Sequence, residues 1–241
     1  MKAYFNEVKK LYSETKIAIP IFQKDKESII ATAEDCIAKG ADILEFRIDA
    51  IENPNPKMVR EIIEEINFPI IATNRVESEG GSFKGSEEDR IAILRECGDI
   101  ADYIDVELAT DGRLLKTLRD IDAKTIISYH NFKKTPSLEF LSQVVEEEKA
   151  IGDIAKVAVM PNNLEDTLTV LALLSHYDDV VAISMGELGS YTRVIASKFN
   201  APFTFAVAND TTAPGQIDIE TMKILLNSDI IDTEELEDTD F

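Results

Sequence analysis

Lys156 stands in the run Asp153-Ile-Ala-Lys-Val-Ala-Val-Met-Pro161. Small and β-branched apolar residues, closed by a proline and then Asn162-Asn163, read as a short strand. Side chains alternate on a strand, so Lys156, Ala158 and Met160 share one face while Val157 and Val159 share the other. A lysine in that setting has two readings. It can be an edge lysine that guards against aggregation. It can also be a buried amine, a nucleophile toward a ketone or aldehyde. The surroundings decide.

Other residues able to do chemistry fall at the ends of similar apolar runs. One run ends Glu45-Phe-Arg47-Ile-Asp49, with the three charged residues on one face. Another ends Thr73-Asn-Arg75 and continues into Glu77-Ser-Glu79-Gly80-Gly81. Further ends carry Asp105 and Glu107, then Ser128 and His130, then Ser184-Met-Gly186 leading to Arg193, and last Thr212 to Gln216. Arginine matches a carboxylate with parallel hydrogen bonds. An imidazole, with an ordinary pKa of about 6.5, can take and return a proton. Each residue also has a plain structural alternative. Glu45 and Arg47 can pair inward, Asp105 and Glu107 can orient Lys156, Arg193 can be a surface residue, and His130 can be a satisfied structural histidine. His176, beside Tyr177-Asp-Asp, reads as surface. The case for chemistry is convergence: seven strand ends would have to place polar groups at one rim by coincidence.

Those groups need a frame. Strand-like runs recur at 16–22, 41–49, 69–75, 103–109, 124–130, 154–160, 179–185 and 202–208. Helical spacing occupies the intervals near 27–39, 56–66, 86–97, 112–122, 137–150, 163–175, 189–199 and 218–227. Pro56 suits a first helical turn, Ser86 with Glu87, Glu88 and Asp89 suits a helix start, and Thr135-Pro-Ser137 and Asn162-Asn163 precede two more helical stretches. The strands are continuously apolar, as strands covered on both faces are. Eight βα units in 241 residues predict an α/β fold of one domain, a (β/α)8 barrel whose chemistry sits at the carboxyl ends of its strands. A short lead-in would precede it, and the six acids of 231–241 would form a tail. An open doubly wound sheet fits the same alternation, but no glycine-rich phosphate turn follows the first run.

The formal charge of −21 disfavours nucleic acid and anionic lipid as partners. No apolar run has the length of a membrane span, and the first residues lack a signal-peptide pattern. Two cysteines, Cys36 and Cys97, in helix-like context fit a reducing cytoplasm. No metal-ligand spacing is present; a magnesium site from Glu45, Asp49, Asp105 and Glu107 is opposed by the cations at the same rim. No metal or other cofactor is expected.

In order along the chain, Glu45-Phe-Arg47-Ile-Asp49, Arg75 with Glu79-Gly-Gly81, Ser128-Tyr-His130-Asn-Phe, Lys156-Val-Ala-Val-Met-Pro161, Ser184-Met-Gly186 with Arg193, and Ala213-Pro-Gly-Gln216 resemble the type I 3-dehydroquinate dehydratases, in their archaeal branch. The resemblance implies a lyase of the shikimate pathway that converts 3-dehydroquinate to 3-dehydroshikimate through a lysine imine. It implies Lys156 as the imine former, His130 as the proton shuttle and Glu79 as its neighbour. Glu45, Arg47, Arg75, Arg193, Thr212 and Gln216 would bind substrate. Thr212 departs from the family's usual serine and keeps the hydroxyl. A cytoplasmic homodimer is the expected assembly. A class I aldolase is the alternative, with Gly186 and Gly189 as a partial phosphate cup. A non-catalytic ligand-binding barrel is the second.

Overall fold

The structure, a computed structural model, describes residues 15–208 and 215–227. The expected lead-in, Thr212 and the acidic tail lie outside the described residues. The strands are β1 (Lys16–Ile21), β2 (Ile43–Arg47), β3 (Ile70–Thr73), β4 (Tyr103–Glu107), β5 (Lys124–Asn131), β6 (Ile154–Val159), β7 (Val180–Ser184) and β8 (Phe203–Phe205). The helices between and after them are α1 (Lys26–Ala38), α2 (Pro56–Ile66), α3 (Glu87–Glu96), α4 (Gly112–Leu115), α5 (Leu138–Ile151), α6 (Leu164–His176), α7 (Gly186–Gly189), α8 (Thr192–Ile195) and α9 (Ile219–Asn227).

The helix starts follow local chemistry. The side chains of Asp25, Asn55, Ser86, Ser137 and Asn163 accept backbone N–H groups from the first turns of α1, α2, α3, α5 and α6. Those N–H groups have no partner inside the helix. Pro56 opens α2, where its missing N–H is not needed. The strands pair in parallel in the order β7-β6-β5-β4-β3-β2-β1-β8. The sheet thus curls into a nearly closed barrel with helices outside. Between β7 and β8, where no ladder forms, α8 bridges the seam. Thr192 Oγ1 accepts from the Ser184 N–H at 3.2 Å, and Thr204 Oγ1 donates to the Arg193 carbonyl at 2.7 Å.

The boundaries differ most from expectation in three places. The strand expected over 202–208 is three residues long. The helix expected over 112–122 is α4 and a single 3-10 turn, and that expected over 189–199 is broken into α7, α8 and a 3-10 turn. Short βα segments of this kind follow from side chains such as Thr192 taking backbone partners outside their own helix.

The outward faces of the strands and the inner faces of the helices make two large clusters, with Phe46, Ile62, Leu94 and Val106 in one and Val157, Val170 and Leu173 in the other. Each such buried side chain contributes roughly 1.5–3 kcal/mol. Inside the barrel, Ala18, Ile43, Ile71, Ile126, Ile154, Val181 and Phe203 form a separate apolar floor. Tyr103 meets Phe203 edge to face at 5.0 Å between ring centres. With its lower end filled in this way, the barrel can open only at the carboxyl ends of its strands.

Candidate active site

Register carries the inward face upward from that floor. Glu45 follows Ile43, Asp105 follows Tyr103, Ser128 follows Ile126 and Lys156 follows Ile154, each two residues on and so on the same face. Ser128 pairs with Lys156 and His130 with Ala158 across β5 and β6. Lys156 is 4% exposed, which excludes the edge-lysine reading. Its Nζ donates to Asp105 Oδ2 at 2.7 Å and to Glu45 Oε1 at 3.2 Å, and lies 4.5 Å from the centre of the Phe205 ring.

Asp105 is the hub of a buried network. Its Oδ1 accepts from Arg75 Nη2 at 2.7 Å and from Ser128 Oγ at 2.7 Å. Arg75 Nη1 also donates to Ser128 Oγ at 2.6 Å and Glu107 Oε1 at 2.9 Å. Burial alone would raise the Asp105 carboxyl; the Arg75 and Lys156 cations overcome it and hold the carboxyl well below the usual range. Asp105 is therefore a fixed anion against the lysine. Arg47 is held bidentately by Asp49, both bonds 2.8 Å. Asp49 itself sits on the 3-10 turn after β2, where it also accepts the backbone N–H groups of Arg75 and Ser82.

His130 and Glu79 form a second unit. Glu79 Oε2 accepts the His130 backbone N–H at 2.9 Å and lies 2.9 Å from Nδ1. Against an ionised Glu79, Nδ1 carries the ring proton and Nε2 keeps its lone pair. Burial, then the Arg75 and Lys156 cations, hold the imidazole well below its ordinary pKa, so it is neutral at neutral pH. Burial pushes the Glu79 carboxyl up to about 7, opposed by Arg75. Phe132 stacks on the imidazole with ring centres 6.4 Å apart. Two glycines allow the close approaches. A Cβ on Gly81 would strike the Arg75 carbonyl, and one on Gly215, where φ is +70°, would strike the Gly186 carbonyl.

Arg193 differs from the other arginines. It is buried; among the described residues its Nε has no partner, and the one hydrogen bond of its guanidinium is a 3.5 Å contact to the Phe205 carbonyl. Burial pulls its guanidinium down to about 10. Among the described residues no carboxylate pairs with this guanidinium, and a buried cation so placed can take an anion. Gln216 lies among the described residues, half-buried beside Gly215.

A family model described as Type I 3-dehydroquinase matches residues 17–233. The chain belongs to the type I 3-dehydroquinase family. It is 64% identical over 220 residues to the 3-dehydroquinate dehydratase of Methanobrevibacter smithii, covering 91% of this chain and 98% of that one. It is 50% identical over 212 residues to that of Methanothermobacter thermautotrophicus, covering 88% and 96%. Among solved structures, the type I 3-dehydroquinate dehydratase of Clostridium difficile, crystallised with covalently modified comenic acid, superposes with a TM-score of 0.83. That match has 31% identity and covers 89% of this chain and 92% of that one.

Membership of the type I 3-dehydroquinase family sets the aldolase alternative aside. Gly189, counted toward a phosphate cup, instead backs onto the Ser184 carbonyl, where a Cβ would not fit. Sequence reading passed over two buried charged residues in this type I 3-dehydroquinase. Arg90 and Glu148 are both fully buried. They sit in runs of surface charges, Glu87-Glu-Asp-Arg90 and Glu146-Glu-Glu-Lys149. Helical spacing was the available signal. Arg90 shares a face with Leu94 and Cys97, and Glu148 with Leu141, Val144 and Val145.

Proposed function

We propose that this chain dehydrates 3-dehydroquinate to 3-dehydroshikimate, with Lys156 as nucleophile and His130 as general base and acid. The observation that supports it best is the buried Lys156 amine, anchored on the Asp105 carboxylate one strand from an imidazole kept neutral. Arg193 receives the substrate carboxylate. Glu45, Arg47, Arg75, Gln216 and Thr212 meet the ring hydroxyls and carboxylate.

His130 takes one proton from the Lys156 ammonium, and the neutral amine attacks the substrate ketone. The proton returns from His130 to the carbinolamine hydroxyl, which leaves as water, and the carbonyl carbon becomes a protonated imine. Asp105 stabilises that cation as it stabilised the ammonium. The imine withdraws electrons from the neighbouring carbon, and His130 Nε2 removes its proton. The electron pair forms an enamine and then expels the β-hydroxyl, which leaves as water with the proton returned from His130. Water hydrolyses the conjugated imine, releasing the enone and the free amine. Glu79 steadies the imidazolium that forms between the two proton transfers.

A cytoplasmic homodimer completes the proposal; light scattering of the purified chain tests its second half. The reaction is tested by adding 3-dehydroquinate and following absorbance. Turnover gives a rise from the conjugated enone. No rise, with retro-aldol cleavage of a sugar phosphate instead, would overturn the proposal.

A further inference from the structure

Arg90 lies outside the machinery described so far. It is fully buried at the fourth position of α3. Its guanidinium satisfies acceptors from three directions. Nε and Nη2 hold Glu87 at 2.8 and 2.6 Å, Nη2 also donates to Thr110 Oγ1 at 2.8 Å, and Nη1 donates to the Asn74 carbonyl at 2.9 Å. Those contacts would suffice to dock the helix. The remaining one reaches inward, from Nη1 to Glu107 Oε2 at 2.6 Å.

Glu107 therefore stands between two arginines, Arg90 on Oε2 and Arg75 on Oε1. Arg75 in turn holds Asp105, and Asp105 holds Lys156. We propose that Arg90 is a positioning residue for the reaction. Through Glu107 and Arg75 it fixes the carboxylate of Asp105 against the Lys156 amine.

The physical argument is about what Glu107 does without it. An oxygen of a buried carboxylate would lose its cation. Glu107 would then turn both oxygens onto Arg75. That turn competes with Asp105 and Ser128 for the Arg75 guanidinium and displaces Asp105 from the amine. The charged groups around Glu107 are Arg90 and Glu87 from α3, Arg75 beyond β3, Asp105 on its own strand and Glu79 from the turn at 77–79. Removing Arg90 makes this set more negative, so the site holds its protons to higher pH. Arg193 lies across the barrel at the seam beside β8 and is untouched, so substrate capture should persist.

This inference rests on the imine reading above. Arg90→Met and Arg90→Lys are assayed for kcat, KM, the pH dependence of kcat/KM and the rate at which borohydride fixes 3-dehydroquinate on Lys156. Arg90→Met should lower kcat on the order of 10-fold to 10²-fold, the scale of a misplaced catalytic group. Its KM should stay within about threefold of wild type. The acid limb of kcat/KM should move to higher pH and trapping should slow in step with kcat. Arg90→Lys, which keeps the cation, should bring the acid limb back toward wild type and recover part of kcat. If Arg90→Met does not fold, Glu87→Gln loosens Arg90 from a half-exposed position and should lower kcat about twofold to threefold at unchanged KM. Wild-type kcat and acid limb in the folded variant, whatever its melting temperature, would make Arg90 a helix anchor only. So would equal impairment of both Arg90 variants with no change in the acid limb. Failure of the wild type to trap on Lys156 would instead overturn the imine reading itself.

Discussion

The floor and the rim of this barrel are built from the same inward faces of the same strands, one step of two residues apart. Ile43, Ile71, Ile126 and Ile154 lie below; Glu45, Thr73, Ser128 and Lys156 lie above. Both layers are almost completely buried. In the floor every contact is dispersion, non-directional and replaceable. In the rim each charge except Arg193 is held by its neighbours, so removing one leaves another unpaired in low dielectric. Burial has opposite meanings in the two layers: below it stabilises the fold, and above it places reactive groups where water cannot level them. Substitutions should therefore separate cleanly, with activity lost from the rim and stability lost from the floor.

The largest separation is expected at His130. His130→Ala should lose turnover by a factor on the order of 10² to 10⁴. It retains Lys156, so borohydride should still fix a slowly formed adduct; turnover near wild type would remove His130 from the mechanism. Next comes Arg193→Ala. Losing one charge-assisted pair with the substrate carboxylate should raise KM on the order of 10-fold to 10²-fold. The melting temperature should hardly move, because no protein carboxylate is orphaned. An unchanged KM would place the substrate anion elsewhere.

The floor should behave in reverse. Ile43→Ala should cost roughly 2–4 kcal/mol in denaturant unfolding. The protein that remains folded should keep the wild-type kcat and KM. A large fall in kcat would mean that the layers are coupled rather than separable. The smallest effect is at Glu148, on the inner face of α5. Burial, with Asp105 and Glu79 adding to it, pushes this carboxyl up to about 10, and among the described residues both its oxygens lack hydrogen-bond partners. The folded chain thus keeps a proton that the unfolded chain releases above about pH 4.3. Its contribution to stability is full below that pH and is lost as pH rises toward 10. Glu148→Met should stabilise by on the order of 2 kcal/mol at pH 8 and by less at pH 5. Equal gains at both pH values would mean that the carboxyl is not held protonated.

What was legible in the sequence was whatever follows a period. The two-residue period put Glu45, Asp105, Ser128, His130 and Lys156 on one face, and the alternation of strands and helices gave the barrel. Partner identity was not legible. Glu45 and Arg47 read as a pair, yet Glu45 faces Lys156 and Arg47 turns to Asp49, because Asp49 leaves the strand on a 3-10 turn and comes back beneath the guanidinium. Arg90 and Glu148 were hidden for a related reason. In an acidic chain a charged helix residue resembles every other, and only the helical period marks these two as inward. The break of the seventh unit at Thr192 and Arg193 is set by tertiary hydrogen bonds, which leave no local pattern.

The central claim is that Lys156 is the nucleophile. The most direct measurement is a peptide map of the wild-type protein after borohydride reduction in the presence of 3-dehydroquinate, with Lys156→Ala treated in parallel. The expected result is one reduced adduct, on the peptide that contains Lys156, and none in the variant. An adduct on another lysine such as Lys124 or Lys133, or trapping that survives in Lys156→Ala, would contradict the account.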